Sequence, residues 1–311
     1  MRLDSDALPH GSRRPGDPIQ PLKFVYRSGV WDLGAHPRVV GILNLTPDSF
    51  YDGDRYATPE LAIERAERMI AEGASGIDLG GQSTRPGGEP VGAEKEWRRI
   101  EPTLTLLRRR IQAQISIDTY HGEVARRALD CGADVVNDVT GLTADPTIAD
   151  HVARTGAGLV LMHSFGAPAD LHAPHGYEDV AAEVRAFLER QIRVAESRGV
   201  APERIAVDPG IGFSKRAEQS IAALRGIPAL RELGRPIYVG VSRKSFLGAI
   251  TGQPVEGRLA AGLGAAIAAY FLGAGIFRTH DVRETLDALR AAEALLGGAE
   301  SPASLPSAAG A

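Results

Sequence analysis

The segment "VGILNLTPDSFYDGDRY" (residues 40–56) changes from mostly apolar to mostly polar residues at Asn44. It begins with an apolar run typical of a buried strand and continues from Asn44 into a polar segment that contains Pro47. Short apolar runs of the same kind recur along the chain and alternate with longer segments of helical period. This alternation predicts strand–helix units, because parallel strands need a crossover helix between them.

Eight such units can be counted along the chain. The predicted strands span residues 39–44, 76–80, 115–118, 135–138, 158–163, 205–208, 237–242 and 276–280. The predicted helices span residues 58–72, 91–110, 121–131, 145–155, 178–199, 217–232, 246–272 and 282–296. Eight units predict an α/β fold, a closed (β/α)8 TIM barrel, because closure leaves no exposed sheet edge. A doubly wound open sheet is the alternative.

The segment ahead of the first barrel strand, "LKFVYRSGVWDLG" (residues 22–34), alternates apolar and polar residues around Ser28 and Gly29. This pattern predicts a short N-terminal β-hairpin, which we expect to cover the bottom of the barrel. We expect one barrel domain over residues 22–297. Residues 1–21 and 298–311 are rich in small residues and proline and are expected to be disordered tails.

The composition excludes several classes of partner. The 311 residues are 43% hydrophobic and 24% charged with a net charge of −4, so no basic excess points to nucleic acid or an anionic membrane. No run approaches the roughly 20 apolar residues of a membrane span. The N-terminus has no apolar core like that of a secretory signal. The single cysteine, Cys131, is expected to be buried in a helix. A cytoplasmic protein is therefore expected.

Polar side chains stand at the end of nearly every predicted strand. They are Asn44, Asp78, Asp118, Asn137 with Asp138, His163, Asp208, Ser242 to Lys244, and Arg278 with His280. Helix N-caps alone would supply a few such residues. In a barrel, however, the carboxyl ends of all strands meet at one face, where active sites lie. The convergence of these residues predicts a binding site there.

Three of these residues, Asp118, Asn137 and Asp208, offer oxygen acceptors and one amide donor on successive or nearby strands. Such a set suits the paired N–H and NH₂ edge of a flat nitrogen heterocycle such as a pterin or guanine. The alternative is that Asp208, followed by Pro209 and Gly210, forms only a turn. No cluster of His and Cys at metal-ligand spacing is present in the sequence, which argues against a dedicated metal site.

Three other segments predict anion binding. Arg85 lies between glycine pairs in "GGQSTRPGG", where the alternative is an ordinary flexible loop. Lys244 and Ser245 stand at the predicted start of a helix, which favours anions; a solvated lysine or a Schiff-base lysine of an aldolase are the alternatives. Arg278 and His280 are two apart on the last strand, so both are expected to face the interior. The histidines at positions 121, 151, 172 and 175 are interpreted as structural.

The motifs "GILNLTPDSF", "GGQSTRPGG", "SIDT", "NDV", "LMH", "DPGIGFSK", "SRKSFLG" and "RTHDV" occur in this order on successive strands. Together they resemble dihydropteroate synthase, over about residues 22–296. The resemblance implies a barrel enzyme, a transferase of folate biosynthesis, that condenses a dihydropterin pyrophosphate with p-aminobenzoate to give dihydropteroate and pyrophosphate. It also implies Mg²⁺ on the pyrophosphate and a homodimer. A pterin-binding methyltransferase and a catalytically impaired paralogue remain as alternatives.

The resemblance also implies a role for each site residue. The pterin would contact Asp118, Asn137, Asp208, Lys244, Met162 and Phe213, and the pyrophosphate would contact Asn44, Arg278 and His280, with Asn44 also reaching Mg²⁺. The p-aminobenzoate pocket, which would be the target of sulfonamides, would contain Phe50, Thr84, Arg85, Pro86, Phe213 and Ser245. The residues implied in catalysis are Asp118, Asp208, Lys244, Arg278 and His280. Two loops, residues 45–56 and 82–92, would close over the site.

Several positions depart from the pattern of the family, and "MHSFG" (residues 162–166) also differs from the commoner "MHM" form. Gln82 stands where Glu is usual, His121 where Lys or Arg is common, and Thr279 where Val is usual. None of them removes a residue that the resemblance assigns to chemistry. Gln82 is the departure expected to matter most, because it removes a charge next to Thr84 and Arg85.

Overall fold

The barrel predicted from the sequence is present in the structure. The computed structural model describes residues 22–34, 36–46, 58–82, 91–166 and 168–296. Its parallel sheet consists of β3 (Arg38–Asn44), β4 (Gly76–Gly80), β5 (Gln114–Asp118), β6 (Val135–Asp138), β7 (Gly158–Met162), β8 (Ile205–Asp208), β9 (Tyr238–Gly240) and β10 (Ile276–Thr279). These strands lie within two residues of the predicted boundaries.

The sheet closes on itself. Its hydrogen-bonded order is β8-β7-β6-β5-β4-β3-β10-β9, and a parallel bridge between Val207 and Ile237 joins the two outer members. The backbone N–H of Val207 donates to the carbonyl of Pro236 at 2.9 Å, which adds a second link at the same place. The open doubly wound sheet is therefore excluded, and all strand ends converge as the sequence predicts.

Ten α-helices lie in the described part of the chain, and all ten follow barrel strands in the order expected of such a fold. They are α1 (Pro59–Ala71), α2 (Ala93–Arg110), α3 (Gly122–Asp130), α4 (Thr147–Thr155), α5 (Val180–Ser197), α6 (Ala217–Arg225), α7 (Ile227–Arg231), α8 (Ser245–Thr251), α9 (Leu259–Leu272) and α10 (Val282–Leu296). In α1, the buried residues Ala62, Ile63, Ala66 and Met69 recur at helical spacing and form the face that packs on the sheet.

Two predicted helices are each divided in the structure. The helix expected at residues 217–232 consists of α6 and α7, which meet at Gly226, and Pro228 occupies the first turn of α7. The helix expected at residues 246–272 consists of α8, a short 3₁₀ turn and α9. Gly252 ends α8 with a φ of 70°, a left-handed conformation that glycine adopts at no steric cost.

The N-terminal hairpin consists of β1 (Lys23–Tyr26) and β2 (Gly29–Asp32). Its turn lies one residue earlier than expected, because Tyr26 pairs with Gly29 and leaves Arg27 and Ser28 as the turn. Phe24 is 1% exposed and packs with the residues that begin several barrel strands, among them Val135 and Ile276. The hairpin therefore fills the bottom of the barrel, as predicted.

Side-chain alternation along the strands separates a hydrophobic layer from a polar interior. In β5, Ile115 and Ile117 are fully buried in the hydrophobic core between sheet and helices, whereas Ser116 and Asp118 face inward. Burying an aliphatic side chain of this size contributes about 1.5–3 kcal/mol. This hydrophobic layer therefore contributes the stability that allows polar side chains to lie inside the barrel.

Two other expectations have different outcomes. Cys131 is exposed at the end of α3, so the expectation that it is buried is wrong; the chain leaves the helix at this residue. The predicted tails at residues 1–21 and 298–311 lie outside the described residues. By length and composition one described segment, Val255–Leu272, could cross a membrane, and 22% of it is buried within the protein.

Candidate active site

A cavity of about 500 Å³ lies among the carboxyl ends of the barrel strands. Every predicted site residue that the structure describes lines this cavity. They are Asn44, Asp118, Asn137, Met162, Asp208, Phe213, Lys244, Ser245, Arg278 and His280. The other four, Phe50, Thr84, Arg85 and Pro86, lie outside the described residues, as does most of the two predicted loops.

Three buried polar side chains at the ends of β5, β6 and β8 line the cavity. Asp118 ends β5, and its backbone pairs with that of Asn137 in β6; Asp208 ends β8. All three side chains are at most 6% exposed. Oδ1 of Asp118 is buried and has no hydrogen-bond partner among the described residues. A buried acceptor without a partner is costly, so this oxygen is suited to accept a hydrogen bond from a ligand.

Burial changes the acidity of this group of residues. It raises the pKa of Asp118 to about 7, although the Arg278 guanidinium opposes the shift. Burial also raises the pKa of Asp208, with Lys244 opposing that shift. The same loss of hydration lowers the pKa of Lys244 to about 8. A ligand that hydrogen-bonds to these buried groups therefore stabilises their charged forms more strongly than the same hydrogen bond would in water.

Lys244 occupies the position before α8 and extends across the cavity. Its ammonium group donates to the carbonyl of Ile211 and lies 4.3 Å from the centre of the Phe213 ring. The His172 ring stacks on the same Phe213 ring, at 5.1 Å between centroids. The lysine is therefore held in the site, which excludes the reading of a solvated surface charge.

The turn after β8 has a conformation that its sequence requires. Oδ1 of Asp208 accepts from the backbone N–H of Gly210 at 2.7 Å. Gly210 has a φ of 67°, and a Cβ at this position would lie 1.8 Å from the carbonyl oxygen of His163. Only glycine fits there. The turn reading and the site reading of Asp208 are thus compatible, because one oxygen serves the turn and leaves Oδ2 for a ligand.

A buried lysine holds the segment that follows this turn. The ammonium group of Lys215 donates to the carbonyls of Gly210 and Phe213, both at 3.1 Å, and contacts Nδ1 of His163 at 2.9 Å. Burial lowers the pKa of Lys215 to about 7 and that of His163 to about 2, so the imidazole is neutral and accepts from the lysine. Lys215 therefore fixes the position of the Phe213 ring.

Two basic residues lie on β10 and directly after its end. Arg278 donates through Nε to Asp78 at 2.6 Å and through Nη2 to Asp118 at 3.0 Å. These carboxylates raise the pKa of Arg278 further above its usual value against the effect of burial, so it stays charged. Nδ1 of His280 lies 3.1 Å from the Ser242 hydroxyl, which orients the imidazole.

The segment after β9 contains a strained residue at the edge of the cavity. Arg243 has a φ of 56°, a left-handed value that is uncommon outside glycine. Its guanidinium makes a two-point ion pair with Asp281, at 3.1 Å from Nε and 2.6 Å from Nη2. This pair stabilises the conformation that brings Ser242 and Lys244 to the cavity.

No group of three or more His, Cys, Asp or Glu side chains that could hold a metal ion occurs among the described residues. Asn44 lies in the cavity wall with the basic residues Arg278 and His280. Mg²⁺ commonly takes one or two protein oxygens and completes its coordination with water and substrate phosphates. The amide oxygen of Asn44 therefore fits a Mg²⁺ ion that is bound to a phosphorylated substrate.

Comparison with known proteins agrees with this geometry. The pterin binding enzyme family matches residues 40–280, which include every barrel strand except the first two residues of β3. A dihydropteroate synthase of Synechocystis is 45% identical over 267 residues, covering 86% of this chain and 92% of that protein. The chain belongs to the dihydropteroate synthase family. The dihydropteroate synthase of Escherichia coli is 39% identical and covers 86% of the chain and 94% of its own length.

Solved structures of dihydropteroate synthases have the same fold. The Xanthomonas albilineans enzyme, determined with 4-aminobenzoic acid, has a TM-score of 0.79 at 42% identity and covers 86% of this chain and 95% of its own. The Burkholderia cenocepacia enzyme, complexed with 7,8-dihydropteroate, has a TM-score of 0.79 at 41% identity and covers 88% and 96%. Family membership and the TIM barrel predicted from the sequence are thus confirmed.

Two residues of this dihydropteroate synthase family member lie at the site without a role predicted from the sequence. His172, interpreted from the sequence as structural, lies in the cavity wall, where it stacks on Phe213 and contacts the carbonyl of Gly212 at 3.3 Å; the structural interpretation stays a prediction. Asp78 was recognised only as a polar strand end, yet it contacts Asn137 and Arg278. No sequence signal marks His172 as a residue of the cavity wall. Asp78, in contrast, shares one face of β4 with Gly76 and Gly80, and this alternation marks it as an interior residue.

Two of the departures from the family pattern, Gln82 and His121, both contact Tyr120. Gln82 is 8% exposed and donates to the Tyr120 hydroxyl. His121 contacts the carbonyl of Val91 at 3.1 Å and lies 3.7 Å from the carboxyl group of Glu96, whose pKa burial raises to about 8. Gln82 thus has a hydrogen-bonded place in the structure although it lacks the usual charge.

Proposed function

We propose that the protein condenses a dihydropterin pyrophosphate with p-aminobenzoate, giving dihydropteroate and pyrophosphate. The observation that supports this most is a single cavity with two chemically different ends. The buried acceptors Asp118, Asn137 and Asp208 form one end, the basic residues Arg278 and His280 form the other, and the two ends meet where Nη2 of Arg278 donates to Asp118 at 3.0 Å. A substrate with a flat donor edge and a diphosphate matches both ends at once.

The pterin ring fits the acidic end. Oδ1 of Asp118 and Oδ2 of Asp208 are acceptors that the protein's own hydrogen bonds leave for a ligand. The edge of a pterin presents a ring N–H beside an NH₂ group, which pairs with a carboxylate. Lys244 and Phe213 would lie against the ring, since they contact each other within the cavity wall. Met162 adds apolar lining.

The leaving group determines the charge that the site must stabilise. Breaking the bond between the methylene carbon and the diphosphate oxygen leaves positive charge on the carbon and the ring, and negative charge on the diphosphate. Arg278 and His280 would bind the departing diphosphate. Asp208 and Asp118 would stabilise the positive ring. When bound, Mg²⁺ would neutralise further diphosphate charge, and Asn44 is the residue that would hold it.

The second substrate needs little activation. The nitrogen of p-aminobenzoate is unprotonated at neutral pH, so its lone pair can form the new C–N bond, after which the nitrogen loses a proton to water. Ser245, at the edge of the cavity, would contact the carboxylate of this substrate. Phe50, Thr84, Arg85 and Pro86 would complete its pocket. Excluding water from the carbon prevents hydrolysis to the alcohol.

We also propose that the protein forms a homodimer through α9. The fourteen residues of this helix include no charged side chain, and Ala260, Gly264 and Ala268 are exposed along it. An exposed apolar helix face commonly marks a protein interface. Sedimentation velocity of the wild type and of Ala268→Arg tests this, and we expect the substitution to reduce the dimer. The predictions of a cytoplasmic location and of no membrane or nucleic-acid partner stay predictions.

The proposed function is tested by incubating the protein with dihydropterin pyrophosphate and Mg²⁺, with and without p-aminobenzoate. We expect pyrophosphate release that depends on p-aminobenzoate and an equal amount of dihydropteroate. His280→Gln should lower turnover about tenfold or more, because the diphosphate loses a hydrogen bond. His36→Gln is a matched control, since His36 is 73% exposed at the opposite end of the barrel.

Other outcomes would favour the alternatives. Binding of the pterin without release of pyrophosphate would identify a catalytically impaired paralogue. Transfer of a methyl group from methyltetrahydrofolate, with no pyrophosphate released, would identify a pterin-binding methyltransferase. Trapping of a substrate on Lys244 by borohydride would identify an aldolase.

A further inference from the structure

Asp78 lies in the interior of the barrel between the two ends of the cavity. It is 0% exposed, and alternation along β4 directs its side chain inward. Its Oδ1 accepts from the hydroxyl of Ser116. Its Oδ2 accepts from Nδ2 of Asn137 at 3.1 Å and from Nε of Arg278 at 2.6 Å. One oxygen atom thus joins a residue from each end of the cavity.

The contact with Asn137 determines which side of the amide faces the cavity. A carboxylate accepts hydrogen bonds only, so the NH₂ group of Asn137 points to Asp78. The amide oxygen of Asn137 is then directed away from Asp78 and into the cavity, where it can accept from a ligand N–H. Without Asp78 the amide could rotate and present a donor instead, which a pterin donor edge would reject.

The contact with Arg278 fixes the plane of a guanidinium. Nε bonds to Asp78 while Nη2 bonds to Asp118, so two of the five N–H donors are used and the fork cannot turn. The remaining donors then have one orientation relative to the cavity. An anion in the cavity meets a guanidinium that is already positioned, which reduces the ordering cost of binding.

We propose that Asp78 is a positioning residue that sets both the acceptor face of Asn137 and the orientation of Arg278, and so aligns the pterin with its leaving group. This inference rests on the proposed function, because it assigns the two ends to parts of one substrate. Asp78 itself touches no substrate atom in this account. Its removal therefore affects both affinity for the pterin and turnover through the two residues that it holds.

The test compares Asp78→Ala and Asp78→Asn with the wild type, measuring the dissociation constant of the pterin substrate and kcat. We expect Asp78→Ala to weaken pterin binding and to lower kcat by about tenfold or more each. In Asp78→Asn, the amide oxygen can accept from both Asn137 and Arg278 while its NH₂ donates to Ser116. This conservative variant should therefore restore pterin affinity to within about threefold of the wild type.

The matched control is Asp134→Ala. Asp134 is also a buried carboxylate paired with an arginine, at 2.9 Å from Arg108, but it precedes β6 at the opposite end of the barrel. Its loss should lower the melting temperature without changing pterin affinity or kcat. If Asp78→Ala does not fold, Ser116→Ala takes its place, because it frees Oδ1 of Asp78; a weaker effect in the same direction is expected.

The outcomes separate this inference from the proposed function. If the wild type releases no pyrophosphate, the proposed function is wrong, and the pterin-binding measurements still test the role of Asp78. If the wild type is active and the Asp78 and Ser116 variants match it in affinity and kcat, the positioning role is overturned. An effect on only one of the two quantities in Asp78→Ala would overturn the coupling between the two ends.

Discussion

Replacing Asp208 by Asn should separate pterin binding from folding. Oδ1 of Asp208 accepts the Gly210 N–H at 2.7 Å, and that buried donor needs an acceptor. In the variant, the amide oxygen therefore takes the Oδ1 position and the NH₂ group takes the place of Oδ2. The ligand then loses an acceptor and meets a donor at the same point.

The size of the effect follows from these two changes. A hydrogen bond to a charged group is worth about 1.5–3 kcal/mol, and a buried donor left without a partner costs about 1–3 kcal/mol. We expect a total loss of about 3–5 kcal/mol, which corresponds to a dissociation constant about 150-fold to 5000-fold higher. Because burial raises the pKa of Asp208 in the folded state, its charge opposes folding at neutral pH. The melting temperature of the variant should therefore stay the same or rise.

Isothermal titration calorimetry with dihydropterin pyrophosphate, in the absence of p-aminobenzoate, measures the affinity directly. Asp150→Asn is the control, because Asp150 is an exposed carboxylate on α4 that pairs with Arg198 at 2.8 Å. A change of less than about threefold in the Asp208 variant, with the control unchanged, would refute the assignment of Oδ2 as a ligand acceptor.

Three further predictions follow from the same structure. Burial raises the pKa of Asp118 to about 7, so its carboxylate takes up a proton as the pH falls below that value. Pterin affinity measured from pH 8.5 to 5.5 should therefore decrease by up to about tenfold per pH unit below pH 7, and Asp118→Asn should remove this dependence. Lys215→Met removes the ammonium group that donates to the carbonyls of Gly210 and Phe213, so it should lower the free energy of unfolding in urea by about 2–4 kcal/mol and weaken pterin binding. Unchanged stability would contradict the role of Lys215. Phe24→Ala removes a large side chain from the bottom of the barrel and should lower the free energy of unfolding by about 3–5 kcal/mol in chemical denaturation, with kcat unchanged in the protein that remains folded. A large loss of kcat would contradict the independence of the bottom of the barrel from the active site at its top.

The barrel was predictable from the sequence because its signal is local and repeated. A strand such as β3, with the residues VVGIL at 39–43, is a short apolar run, and each helix has its own period, so the count of eight units does not depend on individual boundaries. The errors arose where backbone conformation overrides periodicity. Gly252 ends α8 in a left-handed conformation, although the apolar residues on both sides continue a helical pattern.

The site residues at strand ends were predictable for a related reason. Once the strands form a barrel, the ends of β5, β6 and β8 must converge, so Asp118, Asn137 and Asp208 come together without any knowledge of side-chain contacts. Contacts between distant segments give no such signal. Asp78 and Arg278 are separated by 200 residues, and no local pattern marks them as partners.

The role of Lys215 was missed for the same physical reason. In the sequence it is the last residue of "DPGIGFSK" and is indistinguishable from a surface lysine that follows a loop. Only the folded chain brings it under the loop, where three acceptors surround its ammonium group. Fully buried lysines are rare in proteins, so a lysine in a sequence is normally predicted to lie at the surface.

A crystal structure with dihydropterin pyrophosphate bound, in the absence of p-aminobenzoate, tests the central claim most directly. We expect the pterin N–H and NH₂ groups within about 3.2 Å of Asp208, the same ring in contact with Asp118 and Asn137, and the diphosphate beside Arg278 and His280. A ring bound elsewhere, or a diphosphate that contacts neither Arg278 nor His280, would contradict the account.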